Sequence, residues 1–117
     1  MKITIETIPH REQRYPTVGD WEIAENGDIA IRVSELGDWR HEAAIALHEL
    51  VEVLLCRNDG VSGTLVDAFD RAYDGLGEPG DDPKAPYQRQ HCFATAVERM
   101  LIAALGLAWA EYEEALP

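Results

Sequence analysis

Cysteine is scarce in these 117 residues, with only Cys56 and Cys92. They form no C-x-x-C pair, which excludes a paired-thiol redox or zinc motif, and both fall in predicted helices, where reduced buried thiols are common. Basic charge is scarce too: 10 Lys and Arg stand against 22 Asp and Glu, a formal charge of −12. Such a surface repels phosphate backbones, so no nucleic-acid partner is expected. It suits cations or basic partners, although solubility alone accounts for the composition. No apolar run approaches the ~18 residues a membrane span needs, so no membrane partner is expected. Met1-Lys2-Ile3-Thr4-Ile5 lacks the long apolar stretch of a signal peptide, and a cytoplasmic protein is the expectation. Hydrophobic residues make up 46% of the chain and mean hydropathy is −0.25, both ordinary for a globular domain. The length implies one domain, residues 1–117.

The patterning predicts an α+β fold: a small antiparallel sheet, made of an N-terminal strand plus a β-hairpin, followed by three main helices. Residues 2–8 alternate, with Ile3 and Ile5 on one side and Lys2, Thr4 and Glu6 on the other. Residues 9–19 carry Pro9, Pro16 and Gly19 and read as a connection. Asn26-Gly27 between the alternating runs 21–25 and 28–33 predicts a tight hairpin with both turn residues at positive φ. Asp38 can cap a helix from about 39 to 57, with Ala43, Leu47, Leu50 and Leu54 on one face and His41, His48 and Glu52 on the other beside Ile45, Leu55 and Cys56, so the helix is expected to be buried nearly all round. A second helix should start at Ser62 or Thr64 and reach about residue 74, burying Leu65, Val66, Phe69, Ala72 and Tyr73. Asp67, Asp70 and Asp74 then form a row read as a solvated face. Residues 75–86 form a loop rich in glycine, proline and acid, of the kind that often carries function. A third helix should span 87–105, with Phe93, Val97, Met100, Leu101 and Ala104 as its core face. Gly106 should end it, before a final amphipathic turn or helix at 107–116.

Two polar stripes interrupt this apolar pattern. His48 and Glu52 are one helical turn apart and point the same way, with Glu49 beside them. His91 and Glu98 lie two turns apart on one stripe of the later helix. A buried charge needs a partner, and two such stripes facing across a cleft would satisfy each other or a metal. The nitrogen and oxygen donors suit zinc, manganese or iron rather than calcium. The expected metal ligands are therefore His48, Glu52, His91 and Glu98, with Glu49 as the catalytic base. The competing structural reading is a set of hydrogen-bonded helical histidines with no ligand. Asp81 and Asp82 could reach the site or cap the turn at Pro83, Cys56 reads as a core thiol, and His10 and His41 read as surface residues.

The hairpin followed by the helix with His48-Glu49-Leu50-Val51-Glu52 resembles the minimal zincin core, over about residues 20–57. The resemblance implies that His48 is a zinc ligand, that Glu49 takes a proton from the metal-bound water, and that the strand at 28–33 edges the cleft and pairs with an extended peptide. Glu52 stands where that family has its second histidine. Glu49-x-x-Glu52 followed by Asp67-x-x-Asp70 also resembles the magnesium-binding motifs of the all-helical, MazG-type nucleotide pyrophosphohydrolases. There the first residue of the second motif is glutamate and a basic patch holds the triphosphate. The segment from Gly80 to Tyr87, with His91 and Glu98-Arg99 beyond, resembles small phage and prophage proteins, which implies an origin in a bacterial host cytoplasm.

The sequence thus points to a metal-binding protein, and more specifically to a zincin-like metal-dependent hydrolase. Its cofactor would be a divalent metal, zinc before manganese, iron or magnesium, and its substrate a small molecule or a peptide. The alternatives are a magnesium-dependent nucleotide pyrophosphohydrolase and a non-catalytic phage accessory protein.

Overall fold

The computed structural model describes residues 1–117. Strands β1 (Ile3–Ile8), β2 (Gly19–Ile23) and β3 (Ile29–Ser34) precede helices α1 (Trp39–Asp59), α2 (Gly63–Ala72), α3 (Gln88–Ala104) and α4 (Trp109–Ala115). Short 3-10 turns occupy His10–Glu12 and Pro79–Asp81. This is the expected α+β architecture, an N-terminal strand plus a hairpin followed by three longer helices and a short fourth. No single helix is long and apolar enough to cross a membrane.

The sheet order is β1-β3-β2, with β2 antiparallel to β3 and β1 parallel to it. The sheet is therefore mixed, where an all-antiparallel one was expected. Alternation reports which face a residue takes but not which strand lies alongside, and the connection at 9–18 carries the chain across the sheet end to the far edge. β3 sits in the centre because its Ile29, Ile31 and Val33 are all buried. Each such side chain contributes about 1.5–3 kcal/mol by leaving water. The central place of β3 also corrects the peptide-pairing expectation for 28–33: both its edges are taken, and β2 is the strand that borders the cleft.

The hairpin turn is looser than Asn-Gly suggests. Gly27 alone has positive φ, at 91°, and its N–H donates to the Ala24 carbonyl, while Ala24 N–H reaches Asp28. A turn of this kind needs one left-handed residue rather than two, so Asn26 stays in ordinary φ. Asp38 caps α1 by accepting from Arg40 N–H, and Gly60 ends it at φ 74°. Ser62 caps α2 in the same way, through Leu65 N–H.

The helix faces depart most from expectation. On α1 the buried residues are Ala44, Ile45, His48, Glu52, Val53 and Cys56, and Leu54 is exposed. On α3 they are Gln90, His91, Ala94, Glu98 and Ile102, while Phe93 is 58% and Met100 70% exposed. Ala104 and, on α2, Leu65 and Ala72 are also exposed. The reason is physical: α1 and α3 pack closely against each other through their polar stripes, whose charges satisfy one another, so the apolar residues between them are turned outward. Cys92 is likewise exposed, not buried, whereas Cys56 is a core thiol pushed up to about 12 by burial. Asp67 is ion-paired with Arg14 at 3.0 Å, and Asp70 accepts from Tyr15 and Tyr87, so the aspartate row is only partly a solvated face.

Candidate metal centre

His48, Glu52 and His91 come together between α1 and α3, all three buried. Glu52 Oε2 lies 3.1 Å from His48 Nε2 and 3.0 Å from His91 Nδ1. Its other oxygen accepts from the Trp21 indole N–H at 2.9 Å. The far ring nitrogens are held as well. His48 Nδ1 meets Glu98 Oε1 at 2.7 Å, and His91 Nε2 meets Glu78 Oε2 at 3.1 Å and Asp81 Oδ1 at 3.3 Å. Tyr112 donates to the remaining Glu98 oxygen at 2.6 Å. Moving along α1 from His48 to Glu52, the partners run back along α3 from Glu98 to His91. The two helices are therefore antiparallel, which is what aligns the stripes.

Backbone packing sets these positions. A Cβ on Gly80 would stand 2.3 Å from His91 Cγ, so only glycine lets the Pro79–Asp81 turn lie flat on the imidazole and bring Asp81 to it. A Cβ on Gly19 would stand 2.7 Å from Glu49 Oε1, so β2 passes against the Glu49 carboxylate for the same reason. The His48 and His91 rings meet edge-on with centroids 4.7 Å apart.

In the metal-free state this is a charged lattice. Burial opposes the charge of both histidines, but the Glu52 and Glu98 hydrogen bonds hold His48 up to about 11, and those from Glu52 and Glu78 hold His91 up to about 10. Burial likewise opposes the Glu52 anion, yet its bonds to the two histidines draw it down to about 2. Glu49 goes the other way. Burial and the nearby Glu52 charge push it well above the usual carboxylate range, and it makes no side-chain hydrogen bond.

The five expected site residues all line one cleft of about 120 Å³, together with Asp20, Asp67, Asp70 and Glu78. No lysine or arginine lines it. His48, Glu52 and His91 present donor atoms within 4.8 Å of one another, the types and spacing that can hold a metal ion. Glu98 is placed on the opposite ring nitrogen of His48, behind the converging donors rather than among them. Arg89 is exposed and lies 3.8 Å from Asp59, away from Glu49. His41 packs edge-on against Tyr112, and His10 Nδ1 meets Ser34 Oγ at 2.8 Å. Asp82 accepts from Lys84 N–H and so caps its own turn.

Sequence reasoning missed Glu78, Trp21 and Tyr112 as members of the cluster. For the two aromatics a signal existed, since a buried indole N–H or phenol needs an acceptor. Glu78 sits in a loop where no periodicity assigns a direction. Compared with known proteins, the chain matches no family model, no curated protein and no solved structure.

Proposed function

We propose that this chain is a metal-binding protein whose ion is held by His48, Glu52 and His91, and that it acts as a zincin-like metal-dependent hydrolase with Glu49 as the general base. One observation carries the reading. The near nitrogens of both histidines converge on a single Glu52 oxygen, while each far nitrogen is held by a carboxylate, Glu98 for His48 and Glu78 with Asp81 for His91. Carboxylates on the far nitrogens fix ring orientation and raise imidazole basicity, the arrangement metal-ligating histidines use. The donor set fits zinc first, with manganese and iron as further candidates. A divalent ion there would supply a Lewis acid that makes water a stronger acid near neutral pH. The chain's own contribution is separate. Glu98 and Glu78 orient the histidines, Trp21 and Tyr112 hold the carboxylates, and Glu49, unpaired and facing the same cleft, can take and return a proton.

Elemental analysis of protein purified without added metal tests the binding. Near one equivalent of a transition metal, or a rise in unfolding temperature on adding zinc or manganese, supports it. Less than about a tenth of an equivalent with no thermal shift overturns it. For the hydrolase, Glu49→Gln should retain the metal and lose turnover in a screen of peptide and ester substrates.

A second reading has its own support, because Glu49, Glu52, Asp67 and Asp70 share the cleft in the manner a magnesium-dependent nucleotide pyrophosphohydrolase would use. Against it stand the three-stranded sheet, the engagement of Asp67 by Arg14, and the lack of any lysine or arginine lining the cleft for a triphosphate. Pyrophosphate release from nucleoside triphosphates, lost in Glu52→Ala and Asp70→Ala, would favour it. A non-catalytic accessory protein would instead show His48→Ala and Glu49→Ala altering stability alone.

A further inference from the structure

The outer edge of β1 has no partner in the chain. Lys2 C=O accepts from Ile29 N–H and Ile8 C=O from Glu35 N–H, so the even-numbered residues of β1 bond to β3. By the alternation of a strand, the N–H and C=O groups of Ile3, Ile5 and Thr7 point away from the sheet. The side chains of Ile3 and Ile5 share the face of buried Ile29 and Ile31, yet they are 40% and 50% exposed. Lys2, Thr4 and Glu6 lie on the opposite face, all exposed. No proline, bulge or covering segment protects this edge, and its charged guards against pairing are Lys2 and Glu6, of opposite sign and on one face.

We propose that a second copy of this chain pairs along β1, antiparallel and centred on Thr4, to join two three-stranded sheets into one. Self-complementarity commits the edge to this occupant. A two-fold axis at Thr4 sets Ile3 against the partner copy's Ile5 and Ile5 against its Ile3, and outward backbone groups then face outward backbone groups. The same register sets Lys2 opposite Glu6 twice, in the closer, non-hydrogen-bonded positions. Moving the axis to Ile5 pairs Ile5 with itself but sets Ile3 against Thr7 and Thr4 against Glu6, and moving it to Ile3 pairs Ile3 with itself but sets Lys2 against Thr4, so neither matches cation with anion. One register alone pairs apolar with apolar and cation with anion. The metal cleft borders β2 at the other edge of the sheet, so both clefts stay open in the pair.

The test is molar mass by light scattering and sedimentation of the full chain over a wide concentration range, with two charge variants. Wild type should dimerise. Lys2→Glu and Glu6→Lys each set like charges opposite one another at two positions and should each weaken the dimer about tenfold or more. Mixed together they should form a heterodimer, because Glu at 2 then faces Lys at 6 and Glu at 6 faces Lys at 2. Circular dichroism checks that both variants are folded. Should either fail to fold, amide exchange in wild type decides instead: Ile3, Ile5 and Thr7 should be protected at high concentration and exchange on dilution. A wild type that stays monomeric throughout overturns the proposal, as does a dimer that the single changes leave intact, a mixture that does not associate, or exchange at those amides that ignores concentration.

Discussion

α1 has two buried sides that do opposite things. Toward the sheet it packs Ala44, Ile45, Val53 and Cys56 near Ile29, Ile31 and Val33, an apolar contact that needs no particular partner. Toward α3 it buries His48 and Glu52 against His91 and Glu98, with Glu78 and Tyr112 behind them. The first side is the ordinary source of stability. The second costs desolvation of several charged groups, and such lattices are often no more stable than an apolar replacement of the same shape. The contrast places the stabilising work on the sheet side and the titratable groups of the proposed site between the helices.

The sharpest way to break this contrast is Glu52→Gln. It leaves two buried imidazolium groups without their shared anion and should destabilise the metal-free protein by about 3–5 kcal/mol. Metal binding should be lost with it, and denaturant unfolding with metal analysis reads both effects. Next in size is the metal itself: zinc at about a hundredfold over its dissociation constant should stabilise the chain by ~2.7 kcal/mol, and a chelator should reverse this. Glu98→Gln should lower metal affinity about 10–100-fold by freeing His48 to rotate, while the apolar side remains packed. Ile31→Val should cost about 1 kcal/mol and leave metal affinity unchanged. If it weakened metal binding as well, the two sides would not be separable. The smallest effect on stability is expected from Glu49→Gln, whose midpoint should stay level or rise, because burial already disfavours the Glu49 charge.

The polar side also carries a pH signature in metal-free protein. His48 and His91 are held up to about 11 and 10 in the folded state, above the ordinary histidine value of about 6.5. Their contribution to stability is therefore fully present below about 6.5 and is lost as pH rises through 10 to 11. Glu52, drawn down to about 2, contributes above the ordinary carboxylate range and loses that contribution as pH falls through 2. These are two views of the same bonds and count once. Metal competes with the histidine protons, so its apparent affinity should climb with pH over the alkaline window while metal-free stability falls. Titrations of zinc binding and thermal unfolding on the same samples check that opposite movement.

Much of this was legible in the chain. Local rules suffice for the strand at 3–8, the hairpin, the Asp38 cap and the three main helices, since each depends on residues a few positions apart. The His48/Glu52 pair was legible because one helical turn puts the two on the same side wherever the helix goes. The exposure of Leu54 on α1 and the buried face of α3 were not. Hydrophobic spacing singled out Leu54, Phe93 and Met100, and these are exposed because α1 and α3 meet through the polar stripes, whose charges satisfy one another.

What the sequence determined by itself was the set of elements and the donor stripes, because backbone periodicity translates spacing directly into direction. Tertiary structure alone decided that β3 is central and β1 parallel to it, that His91 faces Glu52 while Glu98 stands behind His48, and that Glu78 closes the far side of His91. Those outcomes depend on which surfaces meet between residues 13 to 50 positions apart in the chain, and no local spacing encodes that choice.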